Sequence, residues 1–428
     1  MRVRRFVVRA IRVLLSRYVR ARPRRGDVEG AERRVTIMLN TAYGMGGTIR
    51  AALNQAGHLA AAGYEVQIIS VGRTRDEPFF GFPPGVEVVW LQDRRKHAEP
   101  LRGLQGRLFR LTSKRSSVFL HPSDGAVPFF NVWVDIQLMR RLRRRTGFFI
   151  TTRPGFNLIA ADVRPPGLIT IGLEQMNLAS HRKPLRKSML RRYHGLDVLA
   201  VLTDVDVGAY SEGIEGGELR IVKIPNTVRD DMGPARADLT AKTLITAGRF
   251  TGQKGYDLLI DAYRQVAERH PDWRLKIFGG GPGGPALRER VAEAGLGGVV
   301  SLEPPAGDVA HEMETASIYV LSSRYEGLPL VLLEAMSKGM AVVSFDCPTG
   351  PAEVIDDHRN GLLVPEQDID GLAAALSEMM SDEELRRRCA AAAQETAHQY
   401  TMEVVGPRWE ALLDDLWREL GPRLNGRR

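Results

Sequence analysis

The strongest restriction on the fold lies in the second half of the chain. Five short apolar runs, Thr243–Ala247, Arg274–Phe278, Val299–Leu302, Ile318–Leu321 and Ala341–Phe345, read as strands. Helical segments alternate with them, among them Tyr256–His270, Ala286–Ala294 and Val331–Lys338. This βα alternation is the pattern of a parallel sheet. An earlier region opens the same way. Val35–Leu39 reads as a strand, Asn40–Thr48 as a glycine-rich turn, Thr48–Ala61 as a helix and Glu65–Val71 as a second strand. Further strands are expected at Val86–Leu91, Ser117–His121, Gly147–Thr151 and Val198–Thr203, with a helix over Asp204–Tyr210. The rest of 73–130 is irregular in pattern. The Pro-Asn pair closing Ile221–Asn226 marks a crossing into the second region, and Asp382–Tyr400 and Thr401–Leu420 read as helices. With 428 residues, 43% of them hydrophobic, the expectation is two α/β domains.

Composition narrows the function classes. The two cysteines, Cys347 and Cys389, form no disulfide framework, and no Cys/His cluster has metal-ligand spacing, which fits a reducing cytosol. No run of eighteen apolar residues occurs, so no membrane-spanning helix is expected. The formal charge is +9, but residues 1–25 hold ten arginines and no acid, leaving 50 basic against 51 acidic residues elsewhere. The basicity thus belongs to a tail. In that tail Val3, Val7, Ala10, Ile11, Leu14 and Tyr18 recur at helical spacing among arginines. A basic amphipathic helix of this kind suits an anionic membrane interface. A signal peptide fits poorly because arginines interrupt every apolar run. A nucleic-acid arm lacks aromatic interleaving, and plain disorder is the third alternative. Arg140–Arg145 and Arg182–Arg192 are further basic clusters, either solvated faces or parts of the same anion-attracting surface.

The chemistry concentrates in Arg324–Met336. Glu326 and Glu334 stand eight positions apart, Glu326 before a Gly-Leu-Pro turn and Glu334 on an apolar helix starting near Pro329. Proline at a first helical turn forfeits no hydrogen bond. The N–H groups of Gly327, Leu328 and Leu330 are then directed out of the helix start, a site for phosphate. Glu334, one turn inside, is placed for a ribose hydroxyl.

This segment resembles the E-x7-E motif of retaining glycosyltransferases of family 4, which have the GT-B fold. Ala247–Gly255 is similar to that family's basic donor loop, with Arg249 and Lys254 five residues apart. Phe278–Pro282, including Gly280, resembles its glycine-rich strand end. The resemblance covers roughly residues 221–405. It implies an α/β protein of two Rossmann-like domains facing each other across a cleft, with the basic N-terminal helix as an extension. The expected boundaries are 1–32 for the tail and linker and 33–225 for an acceptor-side domain. A nucleotide-sugar domain follows over 226–405, and 406–428 forms a helix crossing back to the first domain.

The implied activity is transfer of a hexose-type sugar, with retention, from a nucleoside-diphosphate sugar, most simply a UDP-sugar. The implied acceptor is a lipid-linked or polymeric cell-envelope molecule at the cytoplasmic face of the membrane. Arg249 and Lys254 would stabilise charge on the leaving diphosphate, and Glu326 would face the donor sugar. No metal or other cofactor and no nucleic acid are expected. In the first domain Gly46, Gly47 and Thr48 form a loop toward donor phosphate or acceptor, or serve a tight turn alone. Many relatives carry a histidine in a cleft-facing turn where this chain has Arg153 and Gln175. Glu174 is therefore the main candidate of that domain and His181 a second, while His121 reads as structural. The rivals are a sugar-nucleotide epimerase, a phosphorylase, and a non-catalytic nucleotide-sugar-binding or membrane-scaffold protein.

Overall fold

The computed structural model describes residues 2–20, 28–125, 129–229, 232–233, 236–305 and 309–424, the first residues as backbone only. Most of the expected linker, residues 21–27, lies outside the described residues, as do the side chains of Val3 and Val7. The chain divides into two compact units. One takes the chain through Leu202, Asp206–Ile224 and everything from Gly406 onward; the other takes Thr203–Val205 and Pro225–Val405.

The first unit is built on a seven-stranded sheet of β1 (Arg34–Leu39), β2 (Glu65–Arg73), β3 (Val86–Asp93), β4 (Gly147–Thr151), β5 (Leu168–Leu173), β6 (Val198–Val201) and β7 (Arg220–Lys223). Its order is β3-β2-β1-β4-β5-β6-β7, parallel at every pairing. The helices are α1 (Arg2–Val19), α2 (Gly47–Ala61), α3 (Gly103–Thr112), α4 (Val132–Leu142), α5 (Pro154–Val163), α6 (Lys183–Arg192) and α7 (Asp204–Gly213). Strands β4 and β5 are buried along their whole length, as apolar strands covered on both faces must be.

The second unit holds a six-stranded sheet of β8 (Thr243–Ala247), β9 (Arg274–Phe278), β10 (Val300–Glu303), β11 (Ile318–Leu321), β12 (Ala341–Asp346) and β13 (Leu362–Pro365). The order β10-β9-β8-β11-β12-β13 is again wholly parallel. Its helices are α8 (Tyr256–Ala267), α9 (Gly284–Glu293), α10 (Val309–Glu314), α11 (Leu330–Ser337), α12 (Pro351–Val354), α13 (Ile369–Ser381) and α14 (Glu383–His398). Helix α15 (Met402–Leu424) then leads into the first unit's range. There Glu410 meets His58 at 2.8 Å, and Trp417 lies edge-on to Phe148 of β4.

Both sheets reverse direction once. The chain moves outward over β1, β2 and β3, then returns to set β4 beside β1; β8, β9, β10 and β11 repeat the plan. In open parallel sheets the crevice beyond the strands' carboxyl ends at such a switch point is the usual ligand site. In the second unit it lies between the loops leaving β8 and β11, which carry Arg249 and Glu326.

Two expectations need correction. Ser117–His121 is not a strand. The N–H of Val118 donates to Asp135, and those of Phe119 and Leu120 donate to the Ser117 hydroxyl, so side chains take the bonds a ladder would use. Nor is 73–130 irregular apart from strands, since it contains α3. The apolar stripe of the tail is also divided. Val19 is fully buried and Ile11 and Leu15 lie against the first unit's core, whereas Leu14 and Tyr18 face solvent.

Candidate active site

The loop after β8 is folded onto its neighbours through the backbone. Gly248 N–H donates to the Phe278 carbonyl, Phe250 N–H to that of Gly280, and Gly283 N–H to that of Phe250. Gly280 thus supports the basic loop. Arg249 at its crest is exposed, and its guanidinium has no partner among the described residues. Lys254 ends a short 3-10 turn, Gly252–Lys254, and Gly255 follows with φ of 60°. A Cβ on Gly255 would stand 2.0 Å from the Ser322 carbonyl oxygen, so the close approach of the two loops requires glycine.

Lys254 and Glu326 come together across 72 residues of sequence. The Lys254 ammonium and the Ser323 hydroxyl both donate to Glu326 Oε1, at 2.7 and 2.6 Å. Glu326 is only 7% exposed. Its backbone is held too: its N–H donates to the Pro348 carbonyl at 3.0 Å, and its carbonyl accepts from the Thr349 hydroxyl at 3.3 Å. A Cβ on Gly350, at φ of 99°, would lie 2.0 Å from the Gly327 carbonyl oxygen. The Pro-Thr-Gly-Pro stretch therefore braces the turn that presents Glu326.

Arg324 and Asp257 form a part of this arrangement that the motif reading passed over. Arg324 makes a two-pronged ion pair with Asp257 at 2.9 and 2.6 Å and donates to the Gly252 carbonyl at 2.7 Å. Its own N–H donates to the Gln253 carbonyl, and the Gln253 amide donates to that of Tyr325. One guanidinium thus clamps the Lys254 turn to the Glu326 loop. Burial alone would raise the Asp257 carboxyl, but the hydrogen bonds and charge of Arg324 outweigh it and hold the pKa below the ordinary value. Cys347, beside this loop, is pushed up to about 12, first by burial and then by the Glu326 charge.

Helix α11 opens beyond Glu326, with Pro329 at its N-cap rather than inside its first turn. Among the described residues the N–H groups of Gly327, Leu328 and Leu330 donate to nothing in the protein. Such groups at a helix start favour anionic oxygen. Glu334 stands half-buried one turn in. The second unit therefore assembles Arg249, Lys254, Glu326, the α11 start and Glu334 around one switch point.

In the first unit Gly46, Gly47 and Thr48 begin α2, with Gly46 at φ of 146°; Gly46 and Gly47 are exposed and Thr48 half-buried. Glu174, just past β5, is 2% exposed. Its Oε1 accepts from the Asn157 amide at 2.7 Å and from the Tyr193 hydroxyl. Its Oε2 faces His181 Nε2 at 3.4 Å. The structure thus pairs the two candidates of this unit, in a buried cluster. Burial, then the Glu174 charge, pushes the Tyr193 hydroxyl well above its usual range. Arg153 is engaged by Asp124, which also accepts from the Gly155 N–H at 3.0 Å. His121 is tied to Ser188 at 3.0 Å, as a structural histidine would be. Among the described residues no group of three or more His, Cys, Asp or Glu is arranged to hold a metal ion.

Residues 229–396 match the family model described as Glycosyl transferases group 1. The match spans the second unit's site, and the two parallel-sheet units have the GT-B fold that the sequence led one to expect. The chain is 34% identical over 388 residues to an exopolysaccharide phosphotransferase of Streptomyces coelicolor, a match covering 90% of this chain but 41% of that longer protein. It is 26% identical over 372 residues to an uncharacterized glycosyltransferase of Haemophilus influenzae, covering 86% of this chain and 96% of that one. A crystal structure of a Staphylococcus aureus TarM mutant in complex with Fondaparinux, alpha-GlcNAc-glycerol and UDP has a TM-score of 0.72 at 15% identity. That likeness covers 89% of this chain and 100% of the other.

Proposed function

We propose that this chain transfers a hexose-type sugar, with retention, from a UDP-sugar to a cell-envelope acceptor, lipid-linked or polymeric. The observation that carries the reading is the Lys254–Glu326 pair at the start of α11 with Arg249 exposed beside it. When the anomeric bond breaks, negative charge grows on the diphosphate. Arg249 offers a planar fork and Lys254 a point charge, and the α11 N–H groups add fixed dipoles. Preorganised groups of this kind are usually the largest catalytic contribution. Two cations and a helix start supply the charge that a metal ion supplies elsewhere, so the reaction proceeds without one. Glu334 takes the ribose, and Glu326 the donor sugar. The relative named for exopolysaccharide and the neighbour crystallised with UDP support the substrate classes.

The basic helix α1 places the enzyme on the inner face of the cytoplasmic membrane. Purified protein should bind UDP and slowly hydrolyse one UDP-sugar of a screened panel. A chain that binds no nucleotide sugar in calorimetry overturns the reading. The name of the Streptomyces coelicolor relative favours one second reading, transfer of sugar phosphate rather than sugar. Phosphorus NMR of the product separates the two: a phosphodiester signal supports the second.

A further inference from the structure

The exposed large apolar side chains of this protein are not scattered. Leu101, Leu104, Leu108 and Leu111 lie on or just before α3, and Leu104 and Leu111 are 83% and 66% exposed. At 100° per residue, Leu104, Leu108 and Leu111 form one narrow stripe. The opposite side of α3 carries buried Gly106 and half-buried Phe109, whose ring meets Trp133 of α4 edge-on at 5.4 Å. The helix is therefore seated by one face and offers leucines on the other, the reverse of an ordinary surface helix. Arg102, Arg107, Arg110, Lys114 and Arg115 surround the stripe, and residues 101–117 contain no acid. Helix α1 repeats the design. Its inner face seats Ile11, Leu15 and Val19, while Val13, Leu14 and Tyr18 are exposed beside Arg17 and Arg20. Both helices lie against α4.

We infer that the outer faces of α1 and α3 form a leucine-lined basic surface that docks on an anionic lipid bilayer. The charge chooses the occupant. A bilayer interface accepts apolar side chains a few ångström deep while its headgroups meet the arginines. A neutral protein partner would leave this many cations desolvated without counter-charge. The inference deepens the membrane-face reading and rests on it, but it moves the contact from the tail alone to a folded surface. Deletion of α1 would uncover the core that Ile11, Leu15 and Val19 cover, so exposed side chains are altered instead.

The test is co-sedimentation of the full chain with phosphatidylcholine vesicles, with and without phosphatidylglycerol. The parent should sediment with the anionic vesicles only, and less at high salt. The double variant Leu104→Ser/Leu111→Ser should lose partitioning by on the order of tenfold per leucine, with unchanged melting temperature because both side chains are exposed. Val205→Ser, which alters a residue 60% exposed on α7, should keep it. Undiminished sedimentation of the double variant overturns the role of α3 while leaving the membrane-face reading standing. A parent that ignores anionic vesicles removes both. A parent dimer that becomes monomeric in the double variant, in light scattering without vesicles, assigns the leucines to self-association and overturns the proposal.

Discussion

The two units share a sheet plan, a parallel order with one reversal, yet treat the carboxylate beyond a strand end in opposite ways. In the second unit Glu326 meets a cation, Lys254, on a rim where Arg249 remains exposed. In the first, Glu174 receives two neutral donors, Asn157 and Tyr193, on one oxygen and is sealed at 2% exposure. The other oxygen of Glu174 lies 3.4 Å from His181 Nε2 inside the same closed cluster, whereas the Lys254–Glu326 pair lies beside unpaired N–H groups, where a ligand can exchange partners with it. The difference teaches that burial alone does not mark the reacting residue. What matters is whether a ligand can reach the charged and unpaired groups around it.

The largest effect that could break this contrast is on turnover. Arg249→Ala should lower kcat by on the order of 10²–10³ with an unchanged melting temperature, since the side chain supports nothing else. Lys254→Ala should lose as much turnover and also cost on the order of 3 kcal/mol in urea unfolding, because the nearly buried Glu326 carboxylate loses its cation. A Lys254→Ala protein as stable as its parent would mean that the pair is not an interior one.

Next come the carboxylates. Glu334→Ala should weaken UDP binding about 10–100-fold in calorimetry, from loss of a hydrogen bond to a charged group. Glu326→Ala should act mainly on kcat, and the reverse pattern would exchange the two roles. Glu174→Gln is the sharper probe of the contrast. A scaffold role predicts a lower melting temperature with kcat retained, whereas lost kcat at an unchanged melting temperature would return Glu174 to the catalytic set.

The clamp should show an intermediate effect. Arg324→Lys keeps charge but loses the fork on Asp257, so kcat should fall roughly tenfold while UDP affinity holds. Equal loss in both would make Arg324 a binding residue.

The smallest effects are in pH, and the units should differ in sign. Burial pushes the Asp135 carboxyl, behind the first unit's sheet, up to about 7 despite its bonds from Val118 and Ser117. A folded carboxyl that holds its proton more tightly than the unfolded one makes stability highest in acid, falling as pH rises from about 4 to about 7. Asp257, held low by Arg324, acts the other way: its contribution is present above the unfolded pKa and is lost as pH falls through the folded one. Melting at pH 5 and 8 should show a decline that Asp135→Asn flattens. An unchanged slope in that variant would assign the decline to another group.

Legibility followed local signal. Thr243–Ala247, Arg274–Phe278, Ile318–Leu321 and Gly147–Thr151 begin and end where the sequence marks them, because each is a short apolar run bounded by glycine or polar residues. Ser117–His121 has the same look and is no strand, because Asp135, 17 residues further on, takes the Val118 N–H while the Ser117 hydroxyl takes those of Phe119 and Leu120. Helix α3 escaped because its leucines point outward, so its periodicity does not announce a core. In the site, Arg324 was in view beside Glu326, but Asp257 lies 67 residues away and nothing local links them.

The sequence by itself determined the βα alternation, the turns that demand glycine, and the residue types able to meet a nucleotide sugar. These follow from backbone sterics and from periodicities a few residues long. Only the tertiary structure decided which charges meet: that Lys254 is paired with Glu326 while Arg249 stands exposed, that Glu174 is enclosed by Asn157, Tyr193 and His181, and that Ile11 of the tail's apolar stripe packs on the core while Leu14 and Tyr18 do not. Pairing, burial and desolvation depend on distances between residues tens of positions apart, and those exist only once the sheets have closed the chain on itself.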